Sequence, residues 1–164
     1  MTVVGHDGGI ISSIEDIDGI TYALTGQGLN VYDAADPGNL ALLGSTAVPE
    51  AGGTLFADTA SDRMFVVNGN SFTAVDISVD ASPTLLGSWD MPSTSYEIVG
   101  FYVVDDYAYT GYKSGDSYGM KIFNVADATH PDYVAYVSVK LTDLEPAVVG
   151  DLVYAQTENG FIVI

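Results

Sequence analysis

The sequence predicts an all-β protein of the β-propeller class, and three observations carry that expectation. First, Gly28-Leu29-Asn30-Val31-Tyr32-Asp33 returns as Ser71-Phe72-Thr73-Ala74-Val75-Asp76, as Gly119-Met120-Lys121-Ile122-Phe123-Asn124 and as Gly160-Phe161-Ile162-Val163-Ile164. A spacing of roughly 43 residues implies one supersecondary unit per copy. Second, each unit divides into short apolar runs separated by Gly, Asn, Asp and Pro, and no long segment holds a helical apolar period. Third, runs such as Met64-Phe65-Val66-Val67 and Val99-Gly100-Phe101-Tyr102-Val103-Val104 are apolar on both faces. A sheet with one wet face would alternate, whereas a radially packed blade is covered before and behind.

The elements follow in order. In the first unit Ile10 to Asp18 is the innermost strand, Ile20 to Thr25 the second, Leu29 to Asp33 the third and Leu40 to Thr46 the outer one. Asp18-Gly19 and Gln27-Gly28 suit tight hairpins, because Gly reaches positive φ without steric cost. The bend 33–39 uses Asp side chains as acceptors for backbone N–H groups and Pro37 to fix φ. The second unit offers Thr54 to Thr59, Met64 to Asn68, Phe72 to Ile77 and Thr84 to Trp89. The third offers Ile98 to Val104, Tyr107 to Gly111, Met120 to Val125 and Tyr133 to Val139. The fourth holds three strands, Pro146 to Val149, Leu152 to Thr157 and Phe161 to Ile164.

Thr2-Val3-Val4-Gly5 matches the outer-strand pattern Leu42-Leu43-Gly44-Ser45 and Leu85-Leu86-Gly87-Ser88. The expected architecture is therefore a single domain, 1–164, of four four-stranded blades at about 10–48, 53–90, 96–139 and 145–164, the last completed by residues 1–5. Such a chain either closes a four-bladed ring alone or forms half of an eight-bladed homodimer. The small inner-strand residues Ala57, Gly100 and Ala147 favour the narrow channel of the closed monomer.

Seventeen Asp and five Glu face Arg63, Lys113, Lys121 and Lys140, for a formal charge of −18. That field repels nucleic acid and anionic lipid, whose binding needs basic patches, and it suits cations and salty surroundings. An acid-rich, lysine-poor surface is also characteristic of proteins from salt-loving organisms. Cysteine is absent from the sequence, which removes disulfides and thiolate metal sites. No apolar run reaches the roughly 20 residues of a membrane-spanning helix, and the start lacks the basic head and apolar stretch of a signal peptide.

The third-strand pattern resembles the LVIVD-repeat family of β-propellers. The likeness rests on Leu29-Asn30-Val31-Tyr32-Asp33 and Phe72-Thr73-Ala74-Val75-Asp76, the turns at Asp36-Pro37 and Ser82-Pro83, and the Leu-Leu-Gly-Ser outer strands. Asn124 stands in place of the motif's Asp in the third copy. The resemblance implies a binding or adhesion scaffold of a secreted or cell-surface protein, with no shared catalytic set. Trp89-Asp90 occurs once, which separates the chain from propellers carrying a Trp-Asp pair in each unit.

Catalytic motifs have little support. The two histidines, His6 and His130, stand outside any nucleophile elbow, zinc-binding helix or phosphate loop. Asp16-Ile17-Asp18-Gly19 starts like a calcium loop, but Gln27 occupies the position where such a loop needs an acid. A looser calcium site would use inner-strand acids, Glu15 and Asp58, which align between the first two units. This is the basis of an alternative reading, a propeller hydrolase or lyase using channel carboxylates and a divalent ion. A third reading is a purely structural assembly unit.

The primary expectation is a non-enzymatic scaffold for a protein or glycan partner. Its site is the one connection that breaks the repeat, Tyr112-Lys113-Ser114-Gly115-Asp116-Ser117-Tyr118, read as a loop on the same face as the segment carrying Tyr96. Tyr112, Lys113, Asp116, Tyr118 and Tyr96 are the expected contacts, since aromatic rings with flexible Ser and Gly make an adaptable surface.

Overall fold

In a computed structural model, the structure describes residues 10–49, 52–140, 147–150, 152–157 and 160–164. Among these residues every regular element is a strand, and the strands form four antiparallel sheets. The first is β1 (Ile11–Ile17), β2 (Ile20–Thr25), β3 (Gly28–Asp33) and β4 (Ala41–Thr46), hydrogen-bonded in that order. The second is β5 (Thr54–Asp58), β6 (Arg63–Asn68), β7 (Ser71–Asp76) and β8 (Thr84–Asp90). The third is β9 (Glu97–Val104), β10 (Tyr107–Ser114), β11 (Ser117–Asn124) and β12 (Asp132–Val137). The fourth has three strands, β13 (Ala147–Val149), β14 (Leu152–Thr157) and β15 (Gly160–Val163). The expected donation of residues 1–5 to this sheet lies outside the described residues, as does His6.

The repeat has a physical basis at the end of each third strand. Asp33, Asp76 and Asn124 each accept the backbone N–H two residues on, at 2.9, 2.8 and 2.9 Å. The task needs a side-chain oxygen and not a charge, which is why Asn124 can replace Asp. The next residue then donates its N–H to the turn between the first two strands: Ala34 to Gly19, Ile77 to Asp62 and Val125 to Asp106, at 2.8–2.9 Å. These turns hold positive φ at Asp18 and Gly19, at Asp62, and at Asp105 and Asp106, where short polar side chains tolerate the left-handed region.

The glycine of the Leu-Leu-Gly-Ser strands has an equally specific cause. A Cβ on Gly44 would lie 2.7 Å from the Ala81 backbone, and one on Gly87 would lie 2.7 Å from the Ala128 carbonyl oxygen. Each glycine thus admits the bend between the third and fourth strands of the following repeat.

By contact density the chain divides into two compact units, Met1–Asn68 with Thr73–Leu86, and Gly69–Phe72 with Gly87–Ile164. The core of the first contains Leu24, Leu29, Val31, Leu55, Met64 and Val75, all buried. In the second, β11 shows why its strands read as apolar on both faces. Met120 and Ile122 pack with Tyr109 and Val153 on one side. The alternate residue Phe123 joins Phe72, Trp89 and Tyr133 on the other, with ring centroids 4.2–5.8 Å apart.

Candidate functional site

The expected loop 112–118 is strand instead. Registers Lys113↔Tyr118 and Ser114↔Ser117 prolong the β10–β11 hairpin, and Gly115, at φ 58°, turns it beside Asp116. In the first sheet the equivalent hairpin ends at Thr25↔Gly28, which corresponds to Tyr112↔Gly119, so the third hairpin is longer by two residue pairs. An even insertion preserves the alternation of faces, and this is why the extra residues continue the ladder rather than bulge out of it.

That extension separates the five expected contact residues. Tyr112 is buried at 6% exposure and is not a surface contact. Its ring meets Tyr96 edge-on at 5.3 Å and lies 6.0 Å from Tyr136. Burial pushes its phenol well above the ordinary tyrosine range, helped by the hydrogen bond it donates to Tyr136. The Tyr136 hydroxyl, which accepts from Ser138 and Tyr112, is shifted the other way. Lys113 pairs with Glu97 at 3.0 Å, an exposed ion pair that raises the lysine's pKa. Asp116 is exposed at the tip, and Tyr118 lies under Lys140, whose Nζ is 5.2 Å from the ring centroid.

The sequence marks Lys121 only as a basic residue close behind the 112–118 insertion and not as one of the contacts. Its Nζ lies 5.2 Å from the centroid of Tyr96, 5.5 Å from Tyr112 and 5.6 Å from Trp89. It faces Tyr136 directly across the β11–β12 pair. Desolvation among these rings lowers its pKa. The signal was present in the sequence as a lone lysine between Met120 and Ile122, but Trp89 and Tyr96, two of the rings that meet it, are distant in the chain. The cross-strand partner of Lys121, Tyr136, also lines a cleft of about 320 Å³ with Asp116, Ser117, Tyr118, Ser138 and Lys140. Hydroxyl donors, a carboxylate acceptor, a cation and ring faces therefore share one end of the third sheet. A second, mostly apolar cleft of about 380 Å³ lies along the seam of the third and fourth sheets, between residues such as Tyr109, Val134, Val148 and Ile164.

The two acids proposed for calcium are not brought together as equivalents. Glu15 pairs with Tyr22, whose counterpart Phe65 pairs with Phe56, so Asp58 corresponds to Ile17. The offset arises because four residues join β5 to β6 where two join β1 to β2. Asp58 is buried and bound by Arg63, with Nη2 at 2.6 Å and Nε at 3.0 Å from Oδ2. Among the described residues no group of three or more His, Cys, Asp or Glu converges as a metal site. His130 belongs to a turn, its Nδ1 2.7 Å from the Thr129 hydroxyl and 3.7 Å from Asp127.

No family model matches the sequence, and no curated protein matches it. Solved structures similar to it are propeller-like. The computationally designed Ika4 protein matches with a TM-score of 0.63 at 14% identity, over 99% of this chain and 94% of that one. The AfRom2 CNH domain matches at 0.60 and 9% identity, over 99% and 55% of the two chains. Kluyveromyces lactis Hsv2 matches at 0.57 and 12%, over 96% and 46%. The chain thus spans about half the length of the CNH and Hsv2 structures. At these identities the likeness establishes a propeller-like fold.

Proposed function

We propose that the chain is a non-enzymatic propeller module that captures a glycan or protein partner at the β10–β11 hairpin end. The observation that carries this reading is a distribution of charge. Of the four basic residues, Arg63 is committed to a buried pair, while Lys113, Lys121 and Lys140 all lie at this one aromatic, hydroxyl-rich end. In a chain of net charge −18, scattered lysines would serve solubility no worse. Aromatic surfaces with a few directed polar groups are suited to recognition.

Asp116→Ala and Tyr118→Ala test the assignment against a panel of immobilised oligosaccharides and proteins. Each is expected to weaken capture at least tenfold with the melting temperature nearly unchanged, and undiminished capture by both would refute it. A surface or secreted setting, as the LVIVD resemblance implies, is consistent with this use.

The same reading includes ring closure by residues 1–5 or, in the dimer form, by the partner copy. It is supported by β15, whose sheet has three strands among the described residues and whose Phe161 and Val163 are exposed. Deleting residues 1–5 is expected to lower the melting temperature by several degrees, and light scattering distinguishes a monomer from a dimer.

A further inference from the structure

Resting on the glycan arm of that reading, we propose that the hairpin end selects sugars bearing a carboxylate, with Lys121 as the group that meets it. Three features of the site lead there. Lys113 is neutralised by Glu97 and Arg63 by Asp58, whereas no ion pair to Lys121 is present among the described residues. Its charge rests on the rings of Trp89, Tyr96 and Tyr112, which hold it without cancelling it. A cation that has ring partners and, among the described residues, no carboxylate partner can still accept an anion.

The neighbouring groups fit the rest of a sugar acid. Tyr136 stands opposite Lys121 and also lines the cleft, so charge recognition and ring stacking adjoin. Asp116 is placed to accept from sugar hydroxyls, and Ser117 and Ser138 both to donate and to accept. An acidic peptide would use the lysine but would leave these hydroxyl-matching groups idle. Repulsion by the rest of the protein argues for a short ligand over a long polyanion, because at physiological salt the field beyond about 8 Å is largely screened.

The test compares trigalacturonate with its methyl ester, the same sugar without charge, by isothermal titration at physiological ionic strength. The wild-type protein is expected to bind the acid at least tenfold more tightly than the ester. Lys121→Met should bring the acid down to the ester's affinity, while Lys121→Arg should keep the preference. Equal binding of acid and ester by the wild type overturns the inference while sparing the glycan reading, and needs no variant to fold. A preference that survives in Lys121→Met overturns it too. Binding of neither sugar overturns the inference, while the oligosaccharide panel decides the glycan reading separately, and capture of tetraglutamate in their place would point to an acidic peptide and overturn the sugar assignment.

Discussion

Arg63→Met should be among the most destabilising single changes in this chain, and its cost can be worked from the pair it breaks. Arg63 and Asp58 are 6% and 8% exposed, and two guanidinium nitrogens meet one carboxylate oxygen, at 2.6 and 3.0 Å. Methionine keeps much of the arginine stem's volume and removes the charge, so Asp58 would remain inside without its compensating partner. Removing one member of a buried pair costs about 3–5 kcal/mol, against a total stability of roughly 5–15 kcal/mol for a domain. With a urea dependence of about 2 kcal/mol per molar, the unfolding midpoint should fall by about 2 M. Replacing both partners, as Asp58→Leu with Arg63→Met, removes the orphan charge and should recover most of that loss. Urea titration of the wild type, the single variant and the double variant decides the matter. A loss under about 1 kcal/mol in Arg63→Met, or a double variant as weak as the single, would refute the argument. The same series bears on calcium: if Asp58 were a cation ligand, freeing it from Arg63 should make stability rise with millimolar calcium, and no such rise is expected.

Two further outcomes follow from the repeat chemistry. Gly87→Ala drives a methyl group to within 2.7–2.9 Å of the backbone at Ala128 and Thr129, so it should cost about 1–3 kcal/mol, read as a drop in melting temperature. Acid stability should depend on Asp76, whose pKa is held below the ordinary carboxylate value by the hydrogen bonds from Ser78. Because the folded form is the stronger acid, this contribution is present above about pH 4 and is lost as pH falls through the folded pKa. Asp76→Asn keeps the acceptor, as Asn124 does naturally, and should flatten the acid limb of the stability profile measured by circular dichroism.

Much of the fold was legible because the repeat carries its own punctuation. The predicted span Ile20 to Thr25 coincides with β2, and most other boundaries fall within a residue or two of the observed strands. Those strands are bounded by Asp and Gly turns whose chemistry is local. What failed was long-range or register-dependent. Tyr112 reads as a surface aromatic in a loop, and nothing near it in sequence reveals that Tyr96 and Tyr136 cover it. Glu15 and Asp58 align by eye, yet the longer β5–β6 connection shifts the inner strand and sets Asp58 opposite Arg63. Lys121 was visible only as a basic residue close behind the 112–118 insertion, because its partners come from β8, from β10 and from the connection before β9.

The hydrogen bonds show why an extension is accommodated at the β10–β11 turn. At one end of the first three sheets the turn between the first two strands is fastened to the end of the third strand, by Ala34, Ile77 and Val125. At the other end, the turn of the second sheet is clamped, Gly69 and Asn70 accepting from Ile98 and Met91. The third hairpin continues two residue pairs past the position where the first one turns, so those pairs add polar and aromatic groups without disturbing the ladder beneath. Removing Lys113, Ser114, Ser117 and Tyr118 together would leave Tyr112-Gly115-Asp116-Gly119, the length of the first sheet's Thr25-Gly26-Gln27-Gly28 turn. The trimmed protein should fold with a loss of about 1–2 kcal/mol, since the deleted groups are mainly at the surface. Its capture of oligosaccharide should disappear. If the trimmed protein unfolded, the extension would be part of the fold's support; if it folded and still captured ligand, the site would lie elsewhere on the module.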